Sequence, residues 1–410
     1  MNFNEYDKVF TPASPISNLS FLFGREQEVY DLERSINRPG LHPIIIGNRG
    51  VGKTSLVHST IKKNKYKHIT ITCNSRITFN SFALNLLRNL GYDINTTESI
   101  KAQTKNLEGS VSPFEIGLKG DYKEKSTSRD IGLGSINFDA WTVFEYLKEE
   151  SKKYFIVLDE YDVIPKNKKN FHKNIAELIK TIGDNNHLCD SRIVVVGIAR
   201  SAQALLGEHE SIERNAREIF LRPLRNEDIR DFLSEAEESL NFKFERQVKE
   251  RIVNGSNGYP YYVHLVGLEC IDAMLRRDKK NRIVKLEDYS IAIKRSVNHA
   301  FRSVLNKYRH SVEELTPKEI QIIKEFVRLT DYNEKISRDV FTSVIVQHGV
   351  SSREELDSLL LKLQQKKRLI YISRNDDTIR FTEPLMGPFL RIWIMKQKVS
   401  GQLQMFRNKN

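Results

Sequence analysis

Apolar residues in the first half of the chain gather into short runs separated by stretches of helical spacing. Ile44 to Ile46 is a β-branched run closed by Gly47, and HITITC (68–73), YFIVLDE (154–160) and RIVVVGI (192–198) repeat that form. Runs this short, apolar on successive residues, mark strands buried on both faces of a parallel sheet. Between them, TFNSFALNLLRNL spaces its apolar residues by three and four. FLFGREQEVYDLERSI lets Phe23, Val29, Leu32 and Ile36 share one face of a helix opening after Gly24. Strands alternating with helices predict an α/β fold, a parallel sheet covered on both faces by helices. One segment interrupts the rhythm: residues 109–135, rich in Gly, Ser and charge. Its alternating Val111, Phe114, Ile116, Leu118 and Tyr122 predict an exposed hairpin or a mobile loop, either functional or a variable surface excursion.

After LRPLRNEDIRDFL the strand signal ends, and residues 223–312 carry consecutive amphipathic helical patterns broken at NGSNGYP. This predicts a helical lid. From LTPKEIQIIKEF on, three helical patterns (317–329, 338–347, 352–367) precede LIYISRNDDTIRFTEP, two alternating runs around Asn375, Asp376 and Asp377. Three helices followed by a hairpin predict a winged helix. The expected division is a polar lead (1–20), an α/β core (21–222), a lid (223–312), a winged helix (313–400) and a basic tail (401–410).

Composition narrows the class of protein. With 410 residues, 39% hydrophobic and 29% charged, the chain can bury several cores, which excludes a disordered or collagen-like protein. No apolar stretch approaches the roughly 18 to 20 residues of a membrane-spanning helix, and MNFNEYDKVF lacks a basic region followed by an apolar core. A soluble, cytoplasmic protein without a membrane partner is expected. Cys73, Cys189 and Cys270 lack metal-ligand spacing and read as core residues of a reducing compartment.

The net charge is +12, and residues 301–410, with 20 Lys/Arg against 13 Asp/Glu, hold +7 of it. Any contact with duplex DNA is therefore expected in that last quarter. In the third C-terminal helical pattern, however, Glu354, Glu355 and Asp357 occupy the first turns, where they would repel phosphate. Lys362, Lys366, Lys367 and Arg368 cluster at its far end, with Arg374 and Arg380 on the wing. Cations there also complement a helix C-terminus, so DNA binding and a contact with protein or with the chain's own core both stay open.

The strongest chemical signal is GNRGVGKT: Gly47, Asn48, Arg49, Gly50, Val51, Gly52, Lys53 and Thr54 fit GxxxxGK[ST] at every fixed position, after a strand and ahead of a helix. The glycines let backbone N–H groups turn inward around a β-phosphate, and the helix offers the same anion its positive end. Lys53 would reach the β- and γ-oxygens and the Thr54 hydroxyl would ligate Mg²⁺, with Ser55 beside them counted among the nucleotide contacts. YFIVLDE supplies the complement. Asp159 at a strand end would hold Mg²⁺, through water, and Glu160 would orient and deprotonate the attacking water.

FGRE (23–26), GNRGVGKT, LDEYD (158–162), VVVGIARS (194–201) and NGYP (257–260) stand in an order that resembles AAA+ and STAND-type P-loop ATPases, above all the archaeal-type branch that includes origin-recognition initiators. The resemblance runs from about residue 21 to nearly 400. It implies an ATPase core with lid and winged helix, ATP and Mg²⁺ as ligands, and Phe23, Gly24 and Arg25 near the adenine or phosphates. By the same resemblance Arg200 is the arginine that senses the terminal phosphate in the STAND branch. Gly258-Tyr259-Pro260 takes the place of the AAA+ lid arginine. His264 beside it either contacts nucleotide or is a core histidine. Arg214 and Arg217, in what reads as a polar helix, occupy the region where oligomeric members carry an arginine finger acting in trans. GIAR where AAA+ proteins place Asn or Thr shifts the expectation toward a slow switch. It would regulate a protein partner or signalling assembly, as in bacterial defence or stress response, or else act on DNA as an initiator, loader or transposition regulator.

Overall fold

The computed structural model describes residues 3–16, 21–96, 129–133, 137–150, 153–199, 202–206, 214–278, 280, 282–299, 306, 315–330, 335–347, 349, 351–366, 369–373, 376–383 and 385–395. The chain divides into two compact units, one of Asp31–Ile46 and Asn64–Ile219, the other of Met1–Tyr30, Gly47–Lys63 and Phe220–Asn410.

The first unit is built on strands β1 (His42–Gly47), β2 (His68–Thr72), β5 (Phe155–Asp159), β6 (Arg192–Gly197) and β7 (Ala216–Leu221), ordered β2-β5-β6-β1-β7. β2 pairs β5, β5 pairs β6 and β6 pairs β1, all parallel. Register explains the core. Ile71, Leu158, Val195 and Ile44 are successive partners across four strands, as are Ile69, Ile156 and Ile193, and all seven join one buried cluster. Helices Phe79–Asn89, Ala140–Glu149 and Lys169–Asp184 add Phe82, Leu86, Phe144, Leu147, Ile175 and Ile179 to that cluster. The α/β parallel-sheet core expected from the sequence is thus present.

Three details of this unit differ from the expectation. β2 alternates exposed and buried residues, because it lies at the sheet edge with His68, Thr70 and Thr72 on the open face. β7 is a strand where the pattern suggested a polar helix: only Ile219 and Leu221 are buried, too short an alternation to stand out, and the neighbouring β1 supplies the rest of the determination. Within the 109–135 segment, β4 (Arg129–Leu133) pairs parallel with β3 (Tyr92–Thr96), a pairing the pattern did not show. Apart from 129–133, that segment lies outside the described residues.

In the second unit the described part of the polar lead, residues 3–16, is folded. Helix Phe3–Val9 buries Tyr6 and Val9, and Phe10 after it is fully buried with its ring 5.4 Å from Phe232. The stretch expected to form a lid holds helices Asn226–Ser239, Arg246–Ser256, Pro260–Arg277 and Leu286–His299, with a two-residue parallel pairing of β8 (Lys243–Phe244) and β9 (Ile283–Val284) that the pattern did not show. The break at NGSNGYP follows from Asn257 adopting a left-handed φ of 50° and Pro260 opening the next helix, where its missing N–H is harmless.

C-terminally, helices Pro317–Leu329, Arg338–Gln347 and Arg353–Leu361 accompany an antiparallel sheet of β10 (Lys335–Ser337), β12 (Thr378–Phe381) and β11 (Ile370–Ile372). Phe326 packs on Phe341 and Phe381 to hold helices and sheet together. A further helix, 386–395, was not evident in the sequence. No described helix is long and apolar enough to cross a membrane.

Candidate functional site

The phosphate loop leaves the end of β1 and enters the helix Lys53–Lys63. Its φ angles are +80° at Gly50 and +98° at Gly52, values open to glycine and costly to other residues. At Gly47 a Cβ would lie 2.5 Å from the Leu221 carbonyl oxygen, so the loop's first residue has no room for a side chain. Lys53 Nζ donates to the carbonyls of Gly47 (3.0 Å) and Asn48 (2.9 Å), which folds the ammonium back over the loop. Asn48, Gly50, Gly52, Thr54 and Ser55 are half-buried, Arg49 is exposed and Val51 is buried. Ser55 Oγ accepts from the backbone N–H of Ile16 (3.1 Å), and Ser59 Oγ donates to the Ile16 carbonyl (2.7 Å). The N-terminal lead therefore lies along the loop's helix, a neighbour that sequence reasoning missed.

Of the residues placed near the nucleotide by resemblance, Phe23 precedes the helix Glu26–Asn37 instead of joining its apolar face, and its ring sits 6.1 Å from Phe232. Gly24 has φ +63° and lies against Asp228. The Arg25 guanidinium is only 4% exposed: Nη1 donates to Glu28 (3.0 Å), and Nη2 to the carbonyls of Val51 (3.0 Å) and Arg222 (2.6 Å). Burial lowers its pKa, an effect opposed by the Glu28 carboxylate. Pro260 is half-buried at its helix start, beside the fully buried Tyr259, whose hydroxyl accepts from Asn48 Nδ2 at 3.4 Å. His264 is a packed ring: it lies 4.8 Å from Phe232, its Nδ1 accepts from the Thr11 N–H (3.2 Å), and burial pushes its pKa down to about 4. That is the geometry of the core histidine.

The acidic strand end belongs to the first unit. Asp159 closes β5, half-buried, with Oδ1 accepting from the Glu160 N–H (2.9 Å) and its carbonyl from the Cys73 N–H (2.8 Å). Glu160 is exposed at φ 55°, ψ 35°, a left-handed conformation that a non-glycine residue adopts under strain. Asp162, which sequence reasoning left without a role although it is the third acid of LDEYD, accepts from the Ile198 N–H at 2.8 Å and ties the turn after β5 to the end of β6. Tyr161 is buried between them, its hydroxyl 3.1 Å from His172 Nδ1. The Cys73 thiol is pushed up to about 12 by burial and by the carboxylates of Asp159 and Glu160.

Arg200 lies outside the described residues. Arg217 is on β7 and Arg214 just before it, so neither stands on a helix as expected; both are exposed, Arg214 pairing with Asp184 (2.5 Å) and Arg217 with Asp31 (3.9 Å). In the C-terminal part, Glu355 meets Lys318 (2.6 Å), Asp357 meets Arg338 (2.8 Å) and Lys362 meets Glu319 (3.0 Å), while Arg380 stacks over Tyr371. Lys367, Arg368 and Arg374 fall outside the described residues.

Comparison with known proteins adds the family. Among solved structures the chain is similar to the Walker-type ATPase of Pyrococcus abyssi (18% identity, TM-score 0.48, 92% of this chain and 99% of that one). It is also similar to Cdc6p from Pyrobaculum aerophilum (16%, TM-score 0.47, 96% and 98%). The RuvB Holliday junction branch migration motor of Thermotoga maritima follows (12%, TM-score 0.41, 90% and 95%). No curated protein matches. The model of the ATPase domain predominantly from Archaea matches residues 22–266, which span the phosphate loop, the acidic strand end and the helices Asn226–Ser239 and Arg246–Ser256, and the chain belongs to that family of P-loop ATPases.

Proposed function

We propose that the protein is an Mg²⁺-dependent ATPase working as a slow, nucleotide-controlled switch. In this reading the loop from Gly47 to Gly52 and Lys53 take the triphosphate, and Glu160 orients and deprotonates the attacking water. The Thr54 hydroxyl and Asp159 carboxylate are hard oxygen donors of the kind Mg²⁺ prefers, and the metal would supply charge neutralisation for the phosphates. Arg200 would read the terminal phosphate, with Arg214 and Arg217 the candidates for acting in trans on a second copy. The observation that carries the reading is the Lys53 ammonium folded onto the Gly47 and Asn48 carbonyls, in a glycine-turned loop that follows a parallel strand. MgATP titration of Lys53→Ala against the parent tests it: binding should fall by at least tenfold, and equal affinity ends the reading.

The lid and a C-terminal winged helix would carry the nucleotide state to a protein partner or signalling assembly, of the kind used in defence or stress responses. DNA remains as a second reading on one observation: Glu355 and Asp357 are matched by Lys318 and Arg338, so the start of that helix is less repulsive to phosphate than its sequence implied. A salt titration of duplex binding separates the two, since each phosphate contact lowers log K by roughly 0.9 per unit log of salt. Affinity that is absent at low salt, with and without ATP, leaves the protein-partner reading alone.

A further inference from the structure

Arg25 deepens the reading of the loop as a triphosphate site, on which this inference rests. A guanidinium carries five donors in a rigid plane and keeps its charge, so burying one requires several acceptors in fixed places. Arg25 has them: the Glu28 carboxylate and the carbonyls of Val51 and Arg222. Val51 is buried inside the phosphate loop, between the two left-handed glycines. Arg222 begins the stretch that leads to the lid, and two residues later the Leu224 N–H donates to the Gly258 carbonyl at 2.7 Å. Tyr259, next in the chain, returns to the loop through Asn48. The hydrogen bonds thus form a circuit: Val51, Arg25, Arg222, Leu224, Gly258, Tyr259, Asn48.

We propose that Arg25 is a positioning residue that sets the shape of the phosphate loop through the Val51 carbonyl and couples that shape to the lid linker through Arg222, without touching the nucleotide. Three of its five N–H donors go to the Val51 and Arg222 carbonyls and to Glu28. Lysine, with a compact ammonium, cannot span both carbonyls and Glu28 in one plane.

Three magnesium-loaded ligands separate this role from direct contact: ATP, ADP and inorganic tripolyphosphate. An arginine on the base would matter for ATP and ADP but not for tripolyphosphate. One on the terminal phosphate would spare ADP. A residue that shapes the loop matters equally for all three. Affinities are measured for the parent, Arg25→Lys, Arg25→Gln and Glu28→Gln well below each variant's melting temperature. We expect Arg25→Lys to weaken all three ligands by about tenfold, Arg25→Gln by up to about a hundredfold, and Glu28→Gln by a few-fold. The factors should agree across ligands for each variant. A merely structural role would lower the melting temperature and leave the affinities alone. If Arg25→Gln fails to fold, the Lys and Glu28→Gln variants carry the test. Unchanged affinities, or a loss confined to one ligand class, overturn the proposal. If the parent binds none of the three, or Lys53→Ala binds as well as the parent, the triphosphate reading itself fails, and this proposal with it.

Discussion

Replacing Glu160 probes chemistry and backbone strain at one position. Its φ of 55° and ψ of 35° place an L-residue in the left-handed region, at a cost of about 1–2 kcal/mol. Glycine removes that cost but loses about 0.5–1 kcal/mol more backbone entropy on folding. Glu160→Gly should therefore stabilise the fold by about 0.5–1 kcal/mol, raising the melting temperature of a core of this size by about 1–4 °C. Glu160→Gln keeps the strain and should melt with the parent. Both variants lose the carboxylate, so both should hydrolyse ATP about 10²- to 10⁴-fold more slowly while binding it as before. Calorimetry gives the melting temperatures and phosphate release gives the rates. Full activity in both variants removes Glu160 from the mechanism. A Gly variant that melts below the Gln variant refutes the strain argument, even if activity is lost as expected.

Two further outcomes follow from the second unit. His264 is buried as the neutral ring with its pKa down near 4, so the unfolded chain binds the extra proton first. Its stability contribution is complete above the unfolded pKa near 6.5 and is lost as pH falls toward 4, on the order of 3 kcal/mol in all. In denaturant titrations across that range, His264→Phe should flatten the slope, and an unchanged slope would refute the assignment. Phe10→Ala deletes a fully buried ring from the N-terminal segment and should cost about 3–5 kcal/mol. Denaturation at parental stability would mean that the segment contributes no core.

What the sequence determined by itself is what local spacing can encode. The buried strands β1, β5 and β6 were legible because successive β-branched residues leave few alternatives. The phosphate loop was legible because its glycines, lysine and threonine are contiguous and each meets a backbone or charge requirement arising within eight residues. Asp159 and Glu160 were legible for the same reason, at the end of an apolar run. The tertiary structure decided what depends on partners far away in the chain. Arg25 reaches carbonyls 26 and 197 residues away, Asn48 meets Tyr259 at a separation of 211, and Thr11 meets His264 at 253. No periodicity of two or 3.6 residues reports such bonds, so the acceptors of Arg25 and the packing of the N-terminal lead were not visible in the sequence. β7 shows the same limit: its own alternation is too brief to specify a strand, and pairing beside β1 settles it.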